Sequence, residues 1–170
     1  MNNALMFSSA NDAWATPQDY FDYINSFYHF TLDPCALPDT AKCAKFYTPE
    51  DNGLIQPWTG ERVFVNCPYS KSALWIEKCH QEKYKAQIIV LLVPARTDTL
   101  AFHRYIYEQP DTTIKFLKGR LIFGTEDYWK WVWSQKEING KFNKLYNHYG
   151  KKNAAPFPSM LVTFKNPAYC

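Results

Sequence analysis

Asn66, Cys67, Pro68 and Tyr69 follow directly on the apolar triplet Val63-Phe64-Val65, and their types define a chemistry. Asn66 offers a side-chain oxygen as a hydrogen-bond acceptor, and the Cys67 carbonyl offers a second. Pro68 has no N–H and biases Cys67 towards an extended backbone, which gives that carbonyl a defined direction. Tyr69 adds a flat aromatic face. The exocyclic amine of a nucleobase is a poor nucleophile because its lone pair is delocalised into the ring. Two acceptors binding its hydrogens would favour the tetrahedral amine reached in the transition state of an alkylation. Base-on-aromatic stacking contributes about 1–3 kcal/mol, comparable with the few kcal/mol required to extrude a base from a duplex. The same four residues also make an ordinary turn that ends a strand.

The elements that must hold these groups can be read in chain order. Val63–Val65 suits a short parallel strand covered on both faces. Its carboxyl end is where open α/β sheets bind ligands. Met1–Ala13 reads as an irregular lead-in, and Thr16 and Pro17 read as the cap and first residue of a helix. Tyr20, Phe21, Ile24, Phe27 and Tyr28 give that helix one apolar face, expected in the core. His29–Leu32 is expected as a first strand ending at Asp33, where a carboxylate commonly serves a nucleotide-like ligand through hydroxyls or a cationic group. A short strand over Lys45–Thr48 leads to a second acidic turn, Asp51-Asn52-Gly53-Leu54. If the sheet is parallel, this turn lies beside Asp33, and Asp51 with Leu54 could hold an adenine amino group and ring face. Either turn could equally be a capped or solvated surface turn.

A helix from Ser70 or Lys71 to about Lys83 follows, with Glu77, Lys78, Glu82 and Lys83 expected on its exposed side. Gln87–Val93 is the most continuous apolar run and reads as a central strand ending near Arg96. Thr97–Tyr107 reads as a helix capped by Thr97 or Asp98. Thr113–Leu117 and Arg120–Phe123 read as a hairpin turning at Lys118-Gly119, which would leave an antiparallel edge on a mainly parallel sheet. Ser159–Lys165 is the last strand. The intervening residues, 124–158, interleave Tyr128, Trp129, Trp131 and Trp133 with lysines that include Lys141 and Lys144. Such a mixture suits DNA, with rings against bases and ammonium groups on phosphates, and it equally suits an amphipathic insertion with a solvated basic face.

With 170 residues, of which 46% are hydrophobic and 18% aromatic, the chain has ample core material for a single domain, expected over 1–170 with a substrate-binding insertion at about 124–158. A net charge of +3 leaves any nucleic-acid contact to local patches. Five cysteines without paired C-x-x-C spacing suggest neither a disulfide framework nor a zinc site, and no metal is expected. The absence of a basic leader or of a long apolar run reads as a protein of the reducing cytoplasm that does not engage membranes.

The motifs W-A-T-P, L-D-P-C-A, D-N-G-L, N-C-P-Y-S, V-P-A-R-T-D-T, K-G-R-L-I-F-G and P-F-P-S-M-L-V-T-F occur in this order. Their succession resembles the phage-type DNA N-6-adenine methyltransferase family, and N-C-P-Y resembles the N-P-P-Y motif of amino-methyltransferases, with Cys67 where a proline is usual. The resemblance implies a doubly wound, Rossmann-like α/β fold and S-adenosyl-L-methionine as methyl donor. It also implies residence in a host cytoplasm if the chain is phage-encoded. Asp33, Cys35, Asp51 and Leu54 would then serve the cofactor, with Trp14, Thr16 and Pro17 closing over its methionine end. Asn66, Cys67, Pro68 and Tyr69 would be catalytic. Ser70, Arg96, Lys118, Arg120, Lys141 and Lys144 would face double-stranded DNA carrying a flipped adenine.

Other readings share these residues. Methylation of cytosine N4 or of a protein glutamine needs the same two acceptors. A nucleophilic Cys67, as in enzymes that attack cytosine C5 from a Pro-Cys pair, meets the reversed order Cys-Pro here. A binding module that keeps the sheet without turnover is a different class, favoured by the glycine-poor turn after Asp33. The oligomeric state is not legible.

Overall fold

The computed structural model describes residues 14–169, so the lead-in expected over Met1–Ala13 lies outside the described residues. Helix α1 (Gln18–Tyr28) leads to strands β1 (Leu32–Asp33), β2 (Lys45–Phe46) and β3 (Arg62–Val65). A 3-10 turn, Tyr69–Lys71, opens α2 (Ser72–Glu82), followed by β4 (Ile88–Pro94), α3 (Leu100–Tyr105) and β5 (Thr112–Phe116). Then come α4 (Glu126–Ser134), a small hairpin of β6 (Glu137–Ile138) and β7 (Lys141–Phe142), and β8 (Ser159–Lys165).

The central sheet has the order β2-β1-β3-β4-β8-β5. Strands β2, β1, β3 and β4 pair in parallel, whereas β8 runs antiparallel to both β4 and β5. The result is a mixed α/β architecture whose sheet is mainly parallel. Both faces are covered, which explains why the central strands read as unbroken apolar runs. Val63, Val65, Ile89, Leu91 and Val162 pack with Trp75, Ile76 and Cys79 of α2 and Phe102 of α3. Phe64, Val90, Leu92 and Leu161 face the other way, onto Phe21 and Ile24 of α1 and onto Phe123 and Ala155. Among the described residues no helix is long and apolar enough to cross a membrane.

Several expectations are corrected. The antiparallel element is not a hairpin at the sheet edge: residues 120–123 form no strand, and β5 instead pairs with β8. Phe123 is wholly buried against the α1 face, and the Leu121 carbonyl accepts the Ala155 N–H at 2.8 Å, so this stretch leaves the sheet to wall the site. His29 is the left-handed C-cap of α1 (φ 52°) rather than a strand residue. Phe27 is 62% exposed and packs on Tyr23 at the surface. In α2 the expected polar side is inverted. Lys78, Glu82 and Lys83 are buried, with Lys78 Nζ donating to Glu82 Oε1 at 3.0 Å beneath the Trp58 ring. The cap of α3 is Thr99, whose hydroxyl accepts the Phe102 N–H. In the insertion, Trp129 and Trp133 are buried with Val132 in a small cluster of their own, so most of its rings build structure.

Candidate active site

Because β1, β2, β3 and β4 are parallel, the residues after Asp33, Phe46, Val65 and Pro94 emerge at one edge of the sheet. A cavity of about 380 Å³ opens there, in the range of small-molecule sites. Its walls come from Trp14-Ala15-Thr16, the turn after Asp33, Thr48-Pro49 with Asn52-Gly53-Leu54, Asn66 with Pro68, and Lys71 and Leu74 around the start of α2. Phe64 and Trp75 close the apolar side.

Asp33 is 4% exposed, and its two oxygens accept the backbone N–H groups of Cys35 at 3.3 Å and Lys42 at 3.0 Å. Burial raises its pKa to about 6, against the lowering effect of those two hydrogen bonds. The carboxylate thus organises the loop 34–42 while facing the cavity. No glycine stands in this turn, and the close approach comes from the neighbouring one. A Cβ on Gly53 would lie 1.9 Å from the Pro34 carbonyl oxygen, so only glycine lets the two turns meet.

Asn66 is half-buried, and its Nδ2 donates to the Trp14 carbonyl at 2.6 Å and to Thr16 Oγ1 at 2.9 Å. Thr16 is therefore not the helix cap expected of it; Pro17 occupies that position without a side-chain hydrogen bond. Neither Asn66 Oδ1 nor the Cys67 carbonyl receives a hydrogen bond from the described residues. Asn66 Oδ1 is left as an acceptor at the cavity, and the Cys67 carbonyl next to it in the chain is equally unengaged but belongs to a residue only 1% exposed. The Cys67 thiol itself points into the core at 1% exposure, and burial pushes its pKa well above the ordinary value. That is the opposite of what a nucleophilic thiolate requires. Tyr69 is half-buried, with its ring 5.1 Å from Phe157 and 6.1 Å from Phe123, both edge-on. Trp14 completes this aromatic wall through Phe123 at 6.0 Å.

The structure brings together Trp14, Thr16, Asp33, Cys35, Leu54, Asn66 and Pro68 around the cavity. Pro17 instead borders a neighbouring open cleft of about 920 Å³, as does Arg120. Asp51 is exposed, and its Oδ2 closes its own turn by accepting from the Thr48 N–H and hydroxyl, each at 2.9 Å. Ser70, Arg96 and Lys118 are exposed and do not line the cavity, and Lys141 and Lys144 are exposed on and just after the β6–β7 hairpin. Residue types alone do not mark several contributors as site residues: Thr40 and Lys42, which close the cavity from the loop Asp33 holds, Phe64, Lys71, Leu74 and Trp75, which line it, and Phe123 and Phe157, which pack on Tyr69. For the two phenylalanines the signal was their place in the K-G-R-L-I-F-G and P-F-P-S motifs. For Thr40 and Lys42 there was none.

A family model described as DNA N-6-adenine-methyltransferase (Dam) matches residues 4–167. The chain is 41% identical over 64 residues to the DNA N-6-adenine-methyltransferase of Haemophilus phage HP1, which covers 36% of this chain and 37% of that protein. It is 30% identical over 96 residues to the DNA N-6-adenine-methyltransferase of Escherichia phage T1, covering 55% of this chain and 40% of that protein. With the putative methyltransferase YfdM of Escherichia coli K12 it shares 42% identity over 66 residues, 34% of this chain and 71% of that protein. The match thus spans about two fifths of each phage relative's length. With the family model running from residue 4 to residue 167 across the cavity, the aromatic wall and every strand of the sheet, this chain belongs to the DNA N-6-adenine-methyltransferase (Dam) family.

Proposed function

We propose that this chain transfers a methyl group from S-adenosyl-L-methionine to the exocyclic N6 amine of adenine in DNA, on a Rossmann-like, doubly wound fold acting as one domain. The observation that carries this reading is the unengaged acceptor Asn66 Oδ1 at a cavity of about 380 Å³ that contains a buried carboxylate, with the Cys67 carbonyl, also unengaged, following it in the chain. The residues present fit the cofactor. Asp33 offers charge to a cationic group, Leu54 and Trp75 offer apolar surface, and the Gly53–Pro34 approach, which no Cβ would allow, holds the two turns that carry Leu54 and Cys35 side by side. Trp14, Thr16 and Cys35 line the same cavity and complete the proposed cofactor set, whereas Pro17 and Asp51 stand outside it and act through the segments they hold. When bound, S-adenosyl-L-methionine supplies an electrophilic methyl group on a sulfonium.

Asn66 Oδ1 accepts one N6 hydrogen of the base and the Cys67 carbonyl accepts the other. As the amine becomes four-coordinate its hydrogens grow more acidic, and both hydrogen bonds strengthen in the transition state relative to the ground state. Pro68 holds the Cys67 carbonyl in place. The extra proton leaves to solvent afterwards. Tyr69, backed by the buried Phe123 and by Phe157, receives the ring of an adenine flipped from double-stranded DNA. Lys141 and Lys144, with the exposed rings of Phe142 and Tyr149 near them, and Ser70, Arg96, Lys118 and Arg120 meet the rest of the duplex.

The test is incubation with unmethylated duplex DNA and isotopically labelled S-adenosyl-L-methionine, then nucleoside mass spectrometry, with Asn66→Ala alongside. Labelled N6-methyladenine, reduced by roughly 100-fold or more in the variant, is the expected result. Labelled N4-methylcytosine would keep the acceptor pair and replace the substrate. No label despite bound cofactor would overturn the reading.

A further inference from the structure

A carboxamide can present either its oxygen or its nitrogen to a ligand, and the two ends exchange by a half-turn of the side chain. At Asn66 that ambiguity is removed by the chain itself. The Trp14 carbonyl, 2.6 Å away, can only accept, so the end facing it must be Nδ2. Thr16 Oγ1 at 2.9 Å takes the second N–H, and Thr16 is 3% exposed. Both amide hydrogens are thereby consumed by one three-residue strap, and Oδ1 is turned away from it. The strap is pinned in turn: the Ala15 carbonyl accepts the Gly124 N–H at 2.9 Å, and the Trp14 ring packs edge-on to Phe123 and Phe157.

We infer that the Trp14–Thr16 strap positions the amide of Asn66 so that its oxygen, not its nitrogen, meets the amine, with the Thr16 hydroxyl as a positioning group distinct from any contact Thr16 makes with cofactor. This rests on the reading of Asn66 as the amine acceptor. It carries a corollary for Asn66→Asp, which keeps an acceptor oxygen facing the amine. That variant loses both donors to the strap and sets a carboxylate against the Trp14 carbonyl.

The experiment uses the full chain with Thr16→Val, Thr16→Ser and Asn66→Asp. Three quantities are read: kcat at saturating cofactor and DNA, the Kd for S-adenosyl-L-methionine, and hydrogen exchange of the Asn66 side-chain NH2 by NMR. Thr16→Val should lower kcat about tenfold, shift Kd by no more than about threefold, and speed the NH2 exchange about tenfold. Thr16→Ser should restore all three to within about twofold. Asn66→Asp, which leaves Thr16 untouched, should lose about 100-fold in kcat.

Wild-type kcat and exchange in Thr16→Val would overturn the inference. So would a weakened Kd with unchanged kcat, which makes Thr16 a cofactor contact alone, or a Thr16→Ser variant as impaired as Thr16→Val. Near-normal turnover in Asn66→Asp would overturn it as well. The exchange measurement does not depend on catalysis. If the wild-type chain methylates no DNA but Thr16→Val still releases the Asn66 NH2, the proposed function fails and the strap's hold on the amide stands.

Discussion

Replacing Gly53 with alanine should damage stability and cofactor binding together. Gly53 is not among the glycines with positive φ, so its backbone is open to any residue and the cost is one of steric overlap. The added Cβ would lie 1.9 Å from the Pro34 oxygen, 3.0 Å from the Pro34 carbonyl carbon and 3.1 Å from Trp75 Cη2. Ordinary contact begins at 3.4 Å, so the turn after β2 must retreat from the turn after β1 by about 1.5 Å. Both partners are constrained, since the Gly53 carbonyl accepts Trp58 Nε1 at 3.2 Å and Asp33 ties the facing loop at two points. Overpacking of this kind costs about 1–3 kcal/mol, and a backbone-on-backbone clash belongs at the upper end. For a domain of this size about 3 kcal/mol lowers Tm by roughly 6–12 °C. Asn52 and Leu54 ride on the displaced turn and line the cavity, so cofactor affinity should fall by about tenfold as well. Thermal unfolding by circular dichroism and calorimetric titration with S-adenosyl-L-methionine read the two effects. A variant with a Tm within about 2 °C of wild type and unchanged affinity would show that the turns do not meet as described.

Two further outcomes concern charge. Burial raises the folded pKa of Asp33 to about 6, above its ordinary value of 3.8, so ionising it opposes folding and its contribution to stability is lost as pH rises from about 4 through 6. A cationic ligand group needs the ionised form, so cofactor affinity should weaken about tenfold per pH unit below 6. Titrations at pH 5 and 7.5 should show this in the wild type and a flat profile in Asp33→Asn; a flat wild-type profile would remove Asp33 from the site. Replacing Lys141 and Lys144 by alanine should flatten the log-log salt dependence of DNA binding by roughly 0.9 for each phosphate that is no longer neutralised. Filter-binding across a salt series reads the slope, and an unchanged slope would place the DNA surface elsewhere.

Much of the site was legible because its pieces are local. Val63-Phe64-Val65 followed by Asn-Cys-Pro-Tyr marks a strand end by residue type alone, and the run at 88–94 marks a strand buried on both faces. Asp33 and Leu54 could be placed at the same edge because parallel strands put their carboxyl ends together. What stayed hidden depended on partners distant in sequence. Ser159–Lys165 is plainly a strand, but its apolar residues cannot state that β4 and β5 are its neighbours, because every buried strand presents the same surface. Lys78 and Glu82 look like a solvated pair until Trp58 and the sheet cover them. Trp129 and Trp133 look available for DNA until Val132 and their neighbours bury them. Thr16 has the composition of a helix cap, and only the fold sets its hydroxyl against an amide 50 residues away. Residue type and spacing determine which groups can react and which strands carry them. The direction in which Asn66 turns is decided by the tertiary fold, because a carboxamide has two nearly isosteric ends and only a fixed acceptor beside it can choose between them.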